Sequence, residues 1–171
     1  FHNVRYRLRL RNLCADSIIE YESVSRVLQE MSDFFLKDQV IAVTGAAGGI
    51  GRAICEDLSE AGAKIVLAGR NADTLKETAD SLKIADSLIV STDITKPESV
   101  KSLLDATLAK FTRVDGLVNN AGGGSSMKKP EETPHEEWVR MIDFNLTGTF
   151  NCCIEFGKHM ISQKYGKIVN I

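Results

Sequence analysis

Immediately after the run Val40-Ile41-Ala42-Val43 the chain reads Thr44-Gly45-Ala46-Ala47-Gly48-Gly49-Ile50-Gly51. Glycines at this density permit a tight turn and let the backbone approach a bulky anion, while a helix opening behind them offers unpaired N–H groups and a favourable dipole. The chemistry this supports is the cradling of a pyrophosphate by Gly45, Gly48, Gly49 and Gly51. A second candidate is Ala68-Gly69-Arg70-Asn71. An acid at this place would bond ribose hydroxyls and repel a 2′-phosphate. Here Gly69 leaves that place empty, and Arg70 presents a fork of donors suited to phosphate. NADP(H) is therefore favoured over NAD(H), the other reading of Arg70 being a loop cap. Asp93-Ile94-Thr95 offers a carboxylate and an apolar neighbour that would suit an adenine amino group and its ring; Asp93 equally suits the capping of a turn. In Asn119-Asn120-Ala121-Gly122, paired asparagines can tie neighbouring strands together, and Ala121 and Gly122 leave room for a ribose or nicotinamide.

These residues have to be carried by elements that bring them to one edge. Val40 to Val43 is short and β-branched, as a strand buried on both faces reads, and Ile50, Ala53, Ile54, Leu58 and Ala61 then recur at helical spacing up to Gly62. The alternation continues: strands over 64–68, 87–91, 114–119 and 167–171, with helices through Leu75, Ala79 and Leu82, through Val100, Leu103, Leu104, Leu108 and Phe111, and through Trp138, Ile142, Leu146, Phe150 and Ile154. Thr95-Lys96-Pro97-Glu98 and Thr133-Pro134-His135-Glu136 both read as capping boxes at helix starts. Single helices between strands predict an α/β fold, a Rossmann-type doubly wound parallel sheet ordered 3-2-1-4-5. Ligands then belong at the carboxyl ends of the first and fourth strands, where the winding reverses. The piece Gly122 to Ser126 and the turn Lys128-Lys129-Pro130 read as an exposed loop.

Composition narrows the classes. With 171 residues, 43% hydrophobic and 26% charged, the chain is long enough for one domain with a real core. A net charge of −2 gives no reason to expect a nucleic acid partner. No apolar run approaches the ~18 residues of a membrane span. The cysteines Cys14, Cys55, Cys152 and Cys153 lack metal-type spacing and read as free thiols of a reducing, cytoplasmic compartment; His2, His135 and His159 share no ligand spacing either, so no metal is expected. Trp138 reads as a packing residue. The chain opens on Phe1, Met31 lies just before the first strand, and Arg5, Arg7, Arg9 and Arg11 precede the first acid, Asp16. Residues 1–30 are thus expected to be an N-terminal extension. It reads as a polar stretch with an amphipathic helix around Ile18 to Met31, as upstream sequence not native to the domain, or as an Arg-rich targeting segment. Residues 31–171 form the nucleotide-binding domain.

Taken in order, Thr-Gly-x-x-x-Gly-x-Gly at 44–51, Asp93, Asn-Asn-Ala-Gly at 119–122 and Phe144-Asn145-Leu146 resemble the short-chain dehydrogenases/reductases, in their short single-domain branch. The resemblance runs from about Leu36 to Ile171. It implies that Gly45, Gly49, Ile50 and Gly51 line the pyrophosphate, Arg70 the adenosine phosphate, and Asp93 and Ile94 the adenine. Asn120, Ala121 and Gly122 would border the nicotinamide ribose. Asn145 resembles the asparagine of the catalytic tetrad, which kinks its helix and holds a water in the proton relay.

The same family uses a serine and a Tyr-x-x-x-Lys pair to move the proton, the lysine lowering the tyrosine's pKa. Four residues after Tyr6, Tyr21 and Tyr165 stand Leu10, Ser25 and Val169, so none forms that pair. Tyr165 falls in the turn before the fifth strand, and the sheet is expected to be truncated after that strand. The expectation is a hydride-transferring oxidoreductase acting on a small carbonyl or secondary alcohol, of which these residues bind cofactor without turnover. A non-catalytic nucleotide-binding module and a non-functional truncated product are the alternatives. Phe144 to Ile161 resembles sugar or polyol dehydrogenases and 3-oxoacyl reductases, and many relatives form dimers or tetramers through their long helices.

Overall fold

A computed structural model describes residues 36–84, 86–124 and 129–171. The expected N-terminal extension with its helix, Cys14, and residues 125–128 of the glycine-rich loop lie outside the described residues. Five strands, β1 (Val40–Thr44), β2 (Lys64–Gly69), β3 (Ser87–Ser91), β4 (Gly116–Asn119) and β5 (Lys167–Asn170), form one sheet in the order β3-β2-β1-β4-β5. Every pairing is parallel, with Val43 beside Leu67 and Val118 in the centre of the sheet. The α/β doubly wound reading of the sequence is the observed fold.

Side-chain alternation in β1 explains why helices cover both faces. Val40 and Ala42 point to one side, where Val66, Ala68 and Leu117 meet Val100, Leu103 and Leu104 of α3 (Pro97–Phe111) and Phe156 of α5 (Gly148–Ser162). Ile41 and Val43 point to the other, where Ile65 and Leu67 meet Cys55 of α1 (Gly49–Glu60) and Leu75 and Ala79 of α2 (Ala72–Ser81). Each such fully buried aliphatic side chain stabilises the fold by roughly 1.5–3 kcal/mol. The sheet is therefore covered on both faces, which leaves its carboxyl edge to carry the candidate site.

Helix starts differ from the sequence reading. Neither capping box forms. The N-cap of α3 is Lys96 without a side-chain cap, because Pro97 begins the helix one residue later than a Thr95 cap requires. The Thr95 hydroxyl donates instead to Asp93 Oδ1 at 2.8 Å. At α4 (His135–Ile142) the N-cap is Pro134, and the Thr133 hydroxyl donates to the Lys129 carbonyl at 3.0 Å, tied to the short 3-10 turn Pro130–Glu132. The long helix expected through Trp138 and Ile154 widens at Asn145, where the family resemblance placed a kink. Between α4 and α5 lies a π-helical turn, Asp143–Thr147. Asn145 Nδ2 donates to the Met141 carbonyl at 2.9 Å, so a side chain enters the i→i−4 ladder and widens the turn. Trp138, expected to pack, is 54% exposed, on a face of α4 shared with the exposed Val139 and Ile142.

Candidate functional site

The carboxyl ends of β1 and β4 are held together by one hydroxyl. Thr44 Oγ1, buried, accepts from the backbone N–H of Asn120 and of Ala121, both at 3.0 Å, and donates to the Val118 carbonyl at 3.3 Å. Asn120 reaches back the other way, its Nδ2 donating to the carbonyls of Thr44 at 3.0 Å and Gly45 at 3.1 Å. Asn119 joins β4 to β5 by donating to Asn170 Oδ1 at 2.8 Å. The asparagine pair thus ties three strands at one edge, as its sequence position implied.

Gly45 turns the chain out of β1 at φ +65°, a left-handed conformation open to glycine. A Cβ there would also stand 2.9 Å from Ala121 Cα, so the two loops approach as closely as backbone allows. The turn delivers the chain to α1, whose N-cap, Gly48, offers no side chain and whose first turn holds no acid. The first N–H groups of that helix therefore face outward without a protein cap, which is the arrangement that attracts an anion.

Around this edge lies a crevice of about 760 Å³, within the size range of small-molecule and cofactor sites. Its walls include Gly45, Gly48, Gly49, Ile50 and Gly51 from the glycine turn, Arg70 from the end of β2, and Asp93 and Ile94 from the end of β3. Asn120, Ala121 and Gly122 from the end of β4, with Arg140, Met141, Asp143 and Phe144 from α4 and the turn after it, complete it. Residues drawn from five separate stretches of sequence thus share one cavity. Asn145 is not among the lining residues. It stands behind them, its Oδ1 accepting from Gly123 N–H at 3.0 Å and its Nδ2 donating to the Gly123 carbonyl at 2.9 Å.

Electrostatics differ along the crevice. Asp93 Oδ1 accepts from both the hydroxyl and the backbone N–H of Thr95, at 2.8 and 3.0 Å. The Thr95 hydroxyl bond is the main cause that holds this carboxyl below the usual carboxylate range, against a smaller opposing effect of burial, with Lys96 and Arg70 adding their positive charge. The turn-capping reading of Asp93 is thus realised on one oxygen. Arg70 is exposed, and its guanidinium carbon lies 5.3 Å from the centroid of the Phe144 ring, across the crevice. Burial pushes the thiols of Cys55 and Cys152 up to about 12, so neither is a thiolate at neutral pH. Among the described residues no three His, Cys, Asp or Glu side chains gather as metal ligands, and no helix is long and apolar enough to cross a membrane.

Sequence reasoning passed over three residues that the geometry brings forward. Thr44 is the hub of the β1–β4 junction, signalled only by its place before the glycine turn. Asn151, one turn and a half beyond Asn145, fixes the β3 loop by donating to the Ile94 carbonyl at 3.0 Å. Phe144 lines the crevice opposite Arg70, and nothing in its spacing marked it.

Comparison with known proteins agrees with this geometry. The family model described as short chain dehydrogenase matches residues 39–171. An uncharacterized oxidoreductase from Staphylococcus epidermidis is 38% identical over 136 residues, 80% of this chain and 58% of that protein. An NAD-dependent glycerol dehydrogenase from Listeria innocua is 37% identical over 139 residues, 81% of this chain and 54% of that protein. Among solved structures, NAD+-bound xylitol dehydrogenase superposes with a TM-score of 0.74 at 31% identity, covering 79% of this chain and 53% of that one. A 3-ketoacyl-(acyl-carrier-protein) reductase from Brucella melitensis complexed with NADH gives 0.74 at 29% identity, covering 79% and 57%. The chain spans little more than half the length of these relatives. A glycine turn on an uncapped helix end, strands tied by Thr44 and the two asparagines, and a family match from residue 39 to 171 together show that the chain belongs to the short-chain dehydrogenase family.

Proposed function

We propose that this chain is the cofactor-binding part of an NADP(H)-dependent oxidoreductase that moves hydride between the nicotinamide and a small carbonyl or secondary alcohol. The residues present fit such a dinucleotide. The bare amino terminus of α1 suits the pyrophosphate, and Gly48, Gly49 and Gly51 place no side chain in its way. Ile50, 64% exposed at the mouth of the crevice, gains cover from a bound ligand. Ile94 and Asp93 suit the adenine, and Asn120, Ala121 and Gly122 the nicotinamide ribose. When bound, the nicotinamide supplies or accepts the hydride.

The chain's own residues orient and enclose. Asn145 holds the Gly123 backbone at both its N–H and its carbonyl, which fixes the loop following Gly122. In this reading Asn145 also serves the proton relay through the wider turn it creates. The described residues supply position, and no Tyr-x-x-x-Lys occurs in the sequence to donate the proton, so these residues bind cofactor without turning it over. Similarity to glycerol and xylitol dehydrogenases favours a small polyol or its carbonyl form as substrate class. The reading extends to a homo-oligomeric whole protein.

The observation that carries the NADP(H) choice is the pair Gly69-Arg70 at the end of β2, with Arg70 facing the crevice. A second reading, NAD(H), is favoured by the relatives whose names specify NAD+ or NADH. Titration of NADPH and NADH against wild type and Arg70→Ala separates them. The expected result is tighter NADPH binding that falls about tenfold in the variant, the loss of a charge-assisted phosphate contact. Equal affinity for the two nucleotides, unmoved by the substitution, favours NAD(H).

A further inference from the structure

We propose that Phe144 is a positioning residue for Arg70, holding the guanidinium over the crevice and so strengthening the preference for a 2′-phosphorylated dinucleotide. The proposal rests on the NADP(H) reading of Arg70 and adds to it a residue on the opposite wall. Arg70 is exposed, and a free arginine side chain explores many rotamers, which costs affinity whenever a ligand must freeze it. Its backbone is already fixed. Ser91 Oγ donates to the Arg70 carbonyl at 3.0 Å, and Asn71 next door caps α2 through Asp73 N–H at 2.9 Å. What remains is the long side chain, and the Phe144 ring meets it 5.3 Å from centroid to guanidinium carbon, within the reach of a cation–π contact.

Such a contact engages the π face of the ring and consumes none of the five N–H donors of the guanidinium. No described carboxylate forms an ion pair with Arg70. Asp93 is near enough for its titration to respond to the arginine's charge, yet no hydrogen bond or ion pair joins the two, and its Oδ1 is engaged by Thr95. The guanidinium is therefore placed but not saturated, which is the state that favours capture of an incoming phosphate.

The ring in turn is fixed by the π-helical turn. Phe144 precedes Asn145, whose side chain is bonded to Met141 behind it and to Gly123 across the loop. The ring edge lies near Gly123, where a Cβ would stand 3.4 Å from Phe144 Cε1, and the half-buried ring packs against the core cluster of that face. A chain of contacts thus runs from Asn145 through Phe144 to Arg70, joining the nicotinamide end of the crevice to its adenosine end.

The test is a double-mutant cycle read by nucleotide binding. NADPH and NADH are titrated, by the fluorescence change of the reduced nicotinamide, against the full chain as wild type, Phe144→Leu, Phe144→Tyr, Arg70→Ala and Arg70→Ala/Phe144→Leu. Phe144→Leu is expected to weaken NADPH roughly 2- to 12-fold more than it weakens NADH, the equivalent of freezing one rotamer-rich side chain. Phe144→Tyr restores the wild-type ratio, and in the Arg70→Ala background Phe144→Leu has no further effect on it. Circular dichroism checks the fold of each variant, and Phe144→Met, which keeps volume without a π face, replaces leucine if that variant does not fold. Equal weakening of both nucleotides would mean that the ring merely packs, and overturns the proposal. An unchanged ratio in Phe144→Leu, with Arg70→Ala collapsing it, overturns the proposal while the NADP(H) reading stands. Arg70→Ala without effect on the ratio removes both.

Discussion

At Asp93 a single carboxylate carries a structural duty that is separable from any ligand duty. Its Oδ1 holds the turn between β3 and α3 through Thr95, and the ionised form is the one those donors favour. The folded-state pKa lies below the unfolded value of about 3.9, so the stability it contributes is fully present above that pH and is lost as pH falls through the folded value. Asp93→Asn keeps an acceptor but removes the charge. Thermal midpoints are expected to be lower in the variant by the same margin at pH 7 and pH 5, and the gap to narrow as pH falls below about 3.9. A gap as wide at pH 3 as at pH 7 would show that the charge contributes nothing.

The residue scale also shows what the sequence could and could not display. Gly45, Arg70, Asp93 and Asn120 were readable as crevice-lining positions because each stands just past the carboxyl end of a strand, along the edge the crevice follows. The place of Phe144 on the crevice wall was not, since it depends on a helix that widens at one turn. That widening follows from an asparagine bonding to a carbonyl four residues back, which competes with a regular helix by a margin no pattern of apolar residues records.

Among elements, the junction of β1 with β4 governs whether the crevice exists. Two backbone N–H groups converge on Thr44 Oγ1, and Asn120 answers by donating to the β1 end. Thr44→Val keeps shape and removes the acceptor, leaving two half-buried N–H donors unpaired at a cost of about 1–3 kcal/mol. The expected outcome is a urea midpoint lowered by roughly 1 M with the slope unchanged, together with weaker NADPH binding as the two loops part. An unshifted midpoint would show that water replaces the hydroxyl without penalty. The central strands β1, β2 and β4 were plain in the sequence, because buried parallel strands read as short apolar runs. The capping boxes were misleading for a physical reason. Pro97 takes the first helical position of one helix and Pro134 the N-cap of the other, so each threonine lies outside the cap and bonds to whichever acceptor the preceding turn supplies, Asp93 in one case and the Lys129 carbonyl in the other.

For the molecule as a whole, the distribution of exposed apolar side chains is uneven. Leu146, Phe150 and Ile154 follow at four-residue spacing from the π-helical turn into α5, at 64%, 60% and 40% exposed. Trp138, Val139 and Ile142 add to them from α4, and β5 carries Ile168, Val169 and the adjoining Ile171 with its residues exposed, where parallel strands are ordinarily covered on both faces. A stripe of this kind on an otherwise well-buried domain leaves water in contact with surface that gains from association. The chain is therefore expected to self-associate, its sedimentation coefficient rising with concentration, and Phe150→Glu with Ile154→Lys to lower that rise while leaving NADPH binding unchanged, since neither residue lines the crevice. A single monomeric boundary across the concentration range would show that the stripe tolerates water. An association insensitive to the helix substitutions would place the contact on the β5 side of the sheet.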